Sequence, residues 1–146
     1  MKIAIASDHA GYNYKKELSI FLKELEQQVL DFGTFSEEAV DYPDFAFPAA
    51  EAVAGNIADF GILICGTGVG MAITANKVVG IRAANCTSVE MAEMARRHNN
   101  ANVLALGARI TDLSLAKEIV KTFLFTEFEG GRHMIRIEKI HSITGN

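Results

Sequence analysis

No apolar run in this 146-residue sequence is long enough to span a membrane, and the first, Met1–Ala6, is also too short for a signal peptide. A basic run is missing as well. Lys and Arg total 14 against 18 Asp and Glu, a formal net charge of −4, which argues against nucleic-acid binding through a basic surface. With only two cysteines, Cys65 and Cys86, no disulfide framework is indicated, and a reduced cytoplasmic setting is expected. Linkers, internal repeats and low-complexity tracts are also lacking, so residues 1–146 read as one domain. Hydrophobic residues at 49% and charged residues at 22% suit a globular chain able to bury a core.

What is present is an alternation of short β-branched apolar runs with stretches of helical period. Lys2–Ser7 reads as a strand, and Tyr12–Glu26 carries a helical stripe of Leu18, Phe21, Leu22 and Leu25. Gln28–Phe32 is a second strand. The only prolines, Pro43 and Pro48, bracket the start of a helix that ends near Gly55. Phe60–Cys65 is a third strand and Gly68–Val78 its helix. Ile81–Ala84 is a short fourth strand. Thr87–His98 is a helix, with Thr87 or Ser88 as N-cap and Glu90 as a capping-box partner. Val103–Gly107 and Leu113–Leu124 complete the fifth pair, and Gly130-Gly131 breaks the chain before a last helix at Arg132–Ile140. Five βα units with near-continuously apolar strands predict an α/β fold: a Rossmann-like, doubly wound, five-stranded parallel sheet in three αβα layers, with a C-terminal helical appendage. The expected strand order is 2-1-3-4-5. Its topological switch point lies outside the carboxyl ends of strands one and three.

Ser7-Asp8-His9-Ala10-Gly11 and Cys65-Gly66-Thr67-Gly68 emerge at that point. The second segment places a thiol at a strand end, followed by glycines at 66, 68 and 70. Backbone N–H groups of such a turn can cradle an anion, and a helix start favours thiolate. The turn lacks the Lys-Ser/Thr of a phosphate-binding P-loop, and Met71 stands where the dinucleotide fingerprint needs glycine. Cys86 has no glycine turn and reads as structural. A zinc site from Cys65, Cys86, His9 and His98 is conceivable, but no pair has ligand spacing. Asp8 and His9 are either a helix cap with a bystander imidazole or substrate contacts. Arg132 and Arg136 share one helix face, either as a solvated basic patch or as a phosphate clamp that Arg109 would join. His98 ends a helix antiparallel to the strands and roughly 18 Å long. It therefore falls at the opposite sheet edge from Cys65 of its own chain, and either only ends the helix or serves a neighbouring subunit.

Together these segments resemble the ribose-5-phosphate isomerase B family, which includes galactose-6-phosphate and allose-6-phosphate isomerases. The resemblance rests on Ser7–Gly11, Asp41-Tyr42-Pro43, Ile64–Gly70, Gly80-Ile81-Arg82-Ala83, Arg97-His98-Asn99, Asn102-Val103-Leu104 and Glu129-Gly130-Gly131-Arg132-His133, with Arg136 one turn on. It implies aldose–ketose isomerisation of a sugar phosphate, ribose 5-phosphate to ribulose 5-phosphate, within pentose phosphate metabolism and without metal or organic cofactor. By position, Cys65 takes the carbon-base role and His98, supported by Thr67, assists ring opening. Substrate contacts fall on Asp8, His9, Asn99 and the backbone of Gly66, Gly68, Val69 and Gly70, and phosphate contacts on Arg109, Arg132 and Arg136. Some relatives use a glutamate at the position of Thr74 instead of the cysteine; here the thiol is present. The family's shared sites further imply a homodimer or homotetramer. Alternatives are a six-carbon sugar phosphate or a free aldose as substrate, or a non-catalytic sugar-phosphate-binding module on the same fold.

Overall fold

The computed structural model describes residues 1–146. Its elements are β1 Lys2–Ser7, α1 Tyr12–Glu24, β2 Gln28–Asp31, α2 Pro43–Ala54, β3 Phe60–Cys65, α3 Val69–Ala75, β4 Ala83–Asn85, α4 Val89–Asn99, β5 Val103–Gly107, α5 Leu113–Phe125 and α6 Arg132–Thr144. All strand pairs are parallel. Alternation along each strand feeds two cores. Ile3, Ile5, Ile62, Ile64, Leu104 and Leu106 pack on α1, α4 and α5. On the other face Ala4, Ala6, Leu63, Cys65 and Ala105 meet α2 and α3. That second face is rich in alanine, which lets its helices approach closely. No helix is long and apolar enough to cross a membrane.

The strand order is 2-1-3-5-4, not 2-1-3-4-5. Five consecutive fully buried residues make β5 a central strand, whereas β4 has three half-buried ones and suits an edge. With right-handed crossovers, the return from β4 to β5 puts α4 on the same side as α1. The switch point between β1 and β3 is unchanged, and so is the chemistry expected there. Local boundaries also move: β2 ends at Asp31, α1 at Glu24 and α5 at Phe125, and α4 starts at Val89. The fourth strand sits later than Ile81–Ala84, α3 stops at Ala75, and α6 runs on to Thr144. Ser88 is the N-cap of α4 and accepts from the Met91 amide at 3.1 Å. Glu90 is then one position too early for the expected capping box.

Candidate active site

The thiol half of the site forms where β3 ends. Cys65 points into the alanine-rich core and is 5% exposed. The chain then turns through Gly68, whose φ of +83° and ψ of −16° lie in the left-handed region that glycine adopts without strain. This turn brings the Gly68 amide onto the sulfur: Gly68 N–H donates to Cys65 Sγ at 3.1 Å. This amide is the hydrogen-bond partner of the sulfur. Because α3 has only seven residues, the local amides of the turn rather than a long helix supply this environment. The N–H groups of Gly66, Thr67 and Gly70 make no hydrogen bond within the protein.

Neighbouring segments fix the turn. Ala108 N–H donates to the Cys65 carbonyl at 2.8 Å and Arg109 N–H to that of Gly66 at 2.9 Å. Asn85 Nδ2 donates to the Thr67 carbonyl at 3.3 Å, while Thr67 Oγ1 accepts from Val69 N–H at 3.2 Å. Close approach is made possible by Gly107, where a Cβ would lie 2.6 Å from the Thr67 backbone. The Tyr42 ring closes on Gly70, and a Cβ there would lie 2.6 Å from it. The Arg109 side chain covers the turn, since a Cβ on Gly66 would meet Nη1 at 3.0 Å.

From the end of β1, buried Asp8 caps the following turn, its Oδ1 accepting from Gly11 N–H at 3.0 Å. His9 Nδ1 accepts from Val40 N–H at 3.1 Å, so the neutral ring carries its proton on Nε2. The fold thus brings Asp8, His9, Cys65, Gly66, Thr67, Gly68, Val69, Gly70 and Arg109 to one sheet edge. The second thiol differs in kind. Burial pushes Cys86 up to about 11, which leaves it protonated and inert.

His98, Asn99, Arg132 and Arg136 lie elsewhere. Cys65 pairs with Gly107, whereas Gly61 pairs with Val103, close after the end of α4. That register separates the two edges by about 13 Å along the strand, and His98 belongs to the far one. There the His98 and His133 rings stack, 4.3 Å between centroids and 12° from parallel. Glu129 Oε2 stands 3.3 Å from His133 Nε2 and 3.7 Å from His98 Nε2. Arg97 donates through Nε to Glu129 Oε1 at 2.7 Å and through Nη1 to Glu93 Oε1 at 3.0 Å. Arg132 and Arg136 extend from the start of α6, exposed on either side of buried His133. Asn99 lines a cavity of about 410 Å³ with Arg82 and His141, whose side chains meet at 3.0 Å.

The four groups of the conceivable zinc site do not gather. The cluster with metal-ligating atoms close together is instead His98, Glu129 and His133. No pattern in the sequence assigns a role to Glu129, His133 or Asn85. Only the four-residue spacing of Glu129 and His133 offered a signal, and nothing local pointed to Asn85.

A family model described as Ribose/Galactose Isomerase matches residues 3–140. Ribose-5-phosphate isomerase B of Escherichia coli is 50% identical over 142 residues, which cover 97% of this chain and 95% of that protein. A Clostridium thermocellum ribose-5-phosphate isomerase B structure superposes with a TM-score of 0.98 at 56% identity, covering 99% of this chain and 98% of that one. The Mycoplasma genitalium ribose-5-phosphate isomerase B structure with bound ribulose-5-phosphate gives 0.95 at 48% identity, covering 99% of this chain and 97% of its own.

Proposed function

The chain belongs to the ribose/galactose isomerase family, and from that premise we propose that it interconverts D-ribose 5-phosphate and D-ribulose 5-phosphate with Cys65 as carbon base. It is an aldose–ketose isomerase. The observation that carries the role of Cys65 is the Gly68 amide on its sulfur at 3.1 Å, in a turn with further free amides.

The furanose opens first, which needs a proton delivered to the ring oxygen and one removed from the anomeric hydroxyl. His98 is the group assigned to this step, with Thr67 in support. Cys65 thiolate then takes the proton from C2, and the electron pair moves through C1–C2 onto the aldehyde oxygen. Amides of Gly66, Thr67 and Gly70 receive that charge as an oxyanion hole would. A hydroxyl proton passes from O2 to O1, the O2 carbonyl forms, and Cys65 returns its proton to C1. Asp8, His9 and Asn99 contact the sugar. Arg109, Arg132 and Arg136 hold the phosphate, whose remote binding energy positions the reacting carbons. Every step uses side chains and amides of the chain itself.

Because the assigned groups lie at two edges, one complete site draws on two copies. The partner subunit's His98, Asn99, Arg132 and Arg136 would face the Cys65 half, in a homodimer or a pair of homodimers. Exposed Val69 and Ile73 on α3, beside the thiol turn, and Ile135 and Ile143 on α6 support such an association. The two free thiols suit the reducing cytoplasm, where we place the reaction. Cys65→Ala tests the reading. Turnover should fall by about 10³-fold, as when a general base is removed, while calorimetric substrate affinity stays near that of the parent. Unchanged turnover would overturn the thiol mechanism.

A further inference from the structure

Glu129 lies in the connection between α5 and α6, yet it is fastened to the last turn of α4 twice over. Its amide donates to the Arg97 carbonyl at 3.1 Å, and its Oε1 takes the Arg97 guanidinium, which Glu93 holds from the other side. Oε2 is left facing two imidazoles, those of His133 at 3.3 Å and His98 at 3.7 Å. The 3.7 Å separation is too long for a hydrogen bond, so the carboxylate reaches His98 by charge and through the ring that His98 lies flat against. The charged groups acting on this pair are Glu129 and, on α6, Arg132 and Arg136, while Arg97 and Glu93 of α4 stand behind Glu129. Arg132 and Arg136 would press positive charge away from the stacked imidazoles. Glu129 is the carboxylate set against that charge, beside both imidazole nitrogens.

We propose that Glu129 is a positioning residue for ring opening: it anchors the His98–His133 stack to α4 and compensates the proton that His98 must hold and pass. The proposal rests on the assignment of His98 to ring opening. Binding of a divalent cation by the same three side chains fits less well. Parallel rings do not converge their nitrogens on one point, and the guanidinium groups repel a cation.

Ring opening and proton abstraction can be read separately. Ribulose 5-phosphate is phosphorylated on O5 and cannot close a furanose, so deuterium uptake at its C1 from D2O reports Cys65 chemistry without any ring step. Glu129→Gln keeps the shape and removes the charge. It should slow turnover of ribose 5-phosphate by about 10- to 100-fold while deuterium uptake into ribulose 5-phosphate changes by no more than about 2-fold. Glu129→Asp should recover part of the loss. Arg97→Lys, which keeps the charge but loses the fork on Glu129, should give a smaller loss of the same pattern should Glu129→Gln fail to fold. Equal loss of both rates, or loss of neither, would overturn the role of Glu129. A normal exchange rate in Cys65→Ala would instead overturn the carbon-base assignment.

Discussion

Cys65 and Cys86 are both buried, and their surroundings separate them. One sulfur receives an amide N–H at the mouth of a glycine turn, and the other is pushed up to about 11 by burial alone. The glycines that matter most are those that let backbones touch. At Gly107 a Cβ would lie 2.6 Å from the carbonyl of Thr67, and backbone cannot yield as a side chain can. Gly107→Ala is therefore expected to cost about 1–3 kcal/mol, by the rule for overpacking a rigid site. Urea denaturation reads that cost, and kcat should fall with it, since the same shift moves the amides around Cys65. Cys65, Asp8 and His9 were legible in the sequence because each follows an apolar run at a switch point. Glu129 and Asn85 were not. They reach their partners across 32 and 18 residues, through a helix packing and an edge strand that no local pattern encodes.

At the scale of elements, β5 is legible to the residue because its apolar run is bounded by polar and glycine signals. The order of β4 and β5 escaped because it is decided by which strand can be buried on both faces, a comparison between strands rather than a property of either. The packing of α6 on α4 could not be foreseen for the same reason, and it carries a pH dependence. Burial, with the charges of His98 and Arg132, holds the His133 imidazole below its ordinary value of 6.5. As pH falls through that value the unfolded chain takes up this proton and the folded chain resists, so stability is lost on acidification towards the depressed folded value. Glu129 has the same sign, over a lower pH window. Its pairing with Arg97 holds the carboxyl below the usual 4.5, so its contribution persists until pH drops further. Thermal melts from about pH 7.5 to 5 should show a falling midpoint, and His133→Gln should flatten that slope. A slope unchanged by the substitution would place the titrating group elsewhere.

For the whole molecule, the proposed site falls into two incomplete halves, one with the thiol and its amides, the other with the imidazole pair and two arginines. Parallel strands and antiparallel helices send them to opposite edges of one sheet, so a second copy is the simplest way to unite them. The sequence already contained this tension in the placement of His98 one helix length from the strand ends. The decisive measurement mixes Cys65→Ala with His98→Ala protein, each inactive alone, under conditions that exchange subunits. Random pairing in a two-fold dimer gives one intact site in half of the dimers, so activity should recover to about a quarter of the parent value. No recovery despite exchange verified by mass spectrometry would contradict the account, because each chain would then build its site alone.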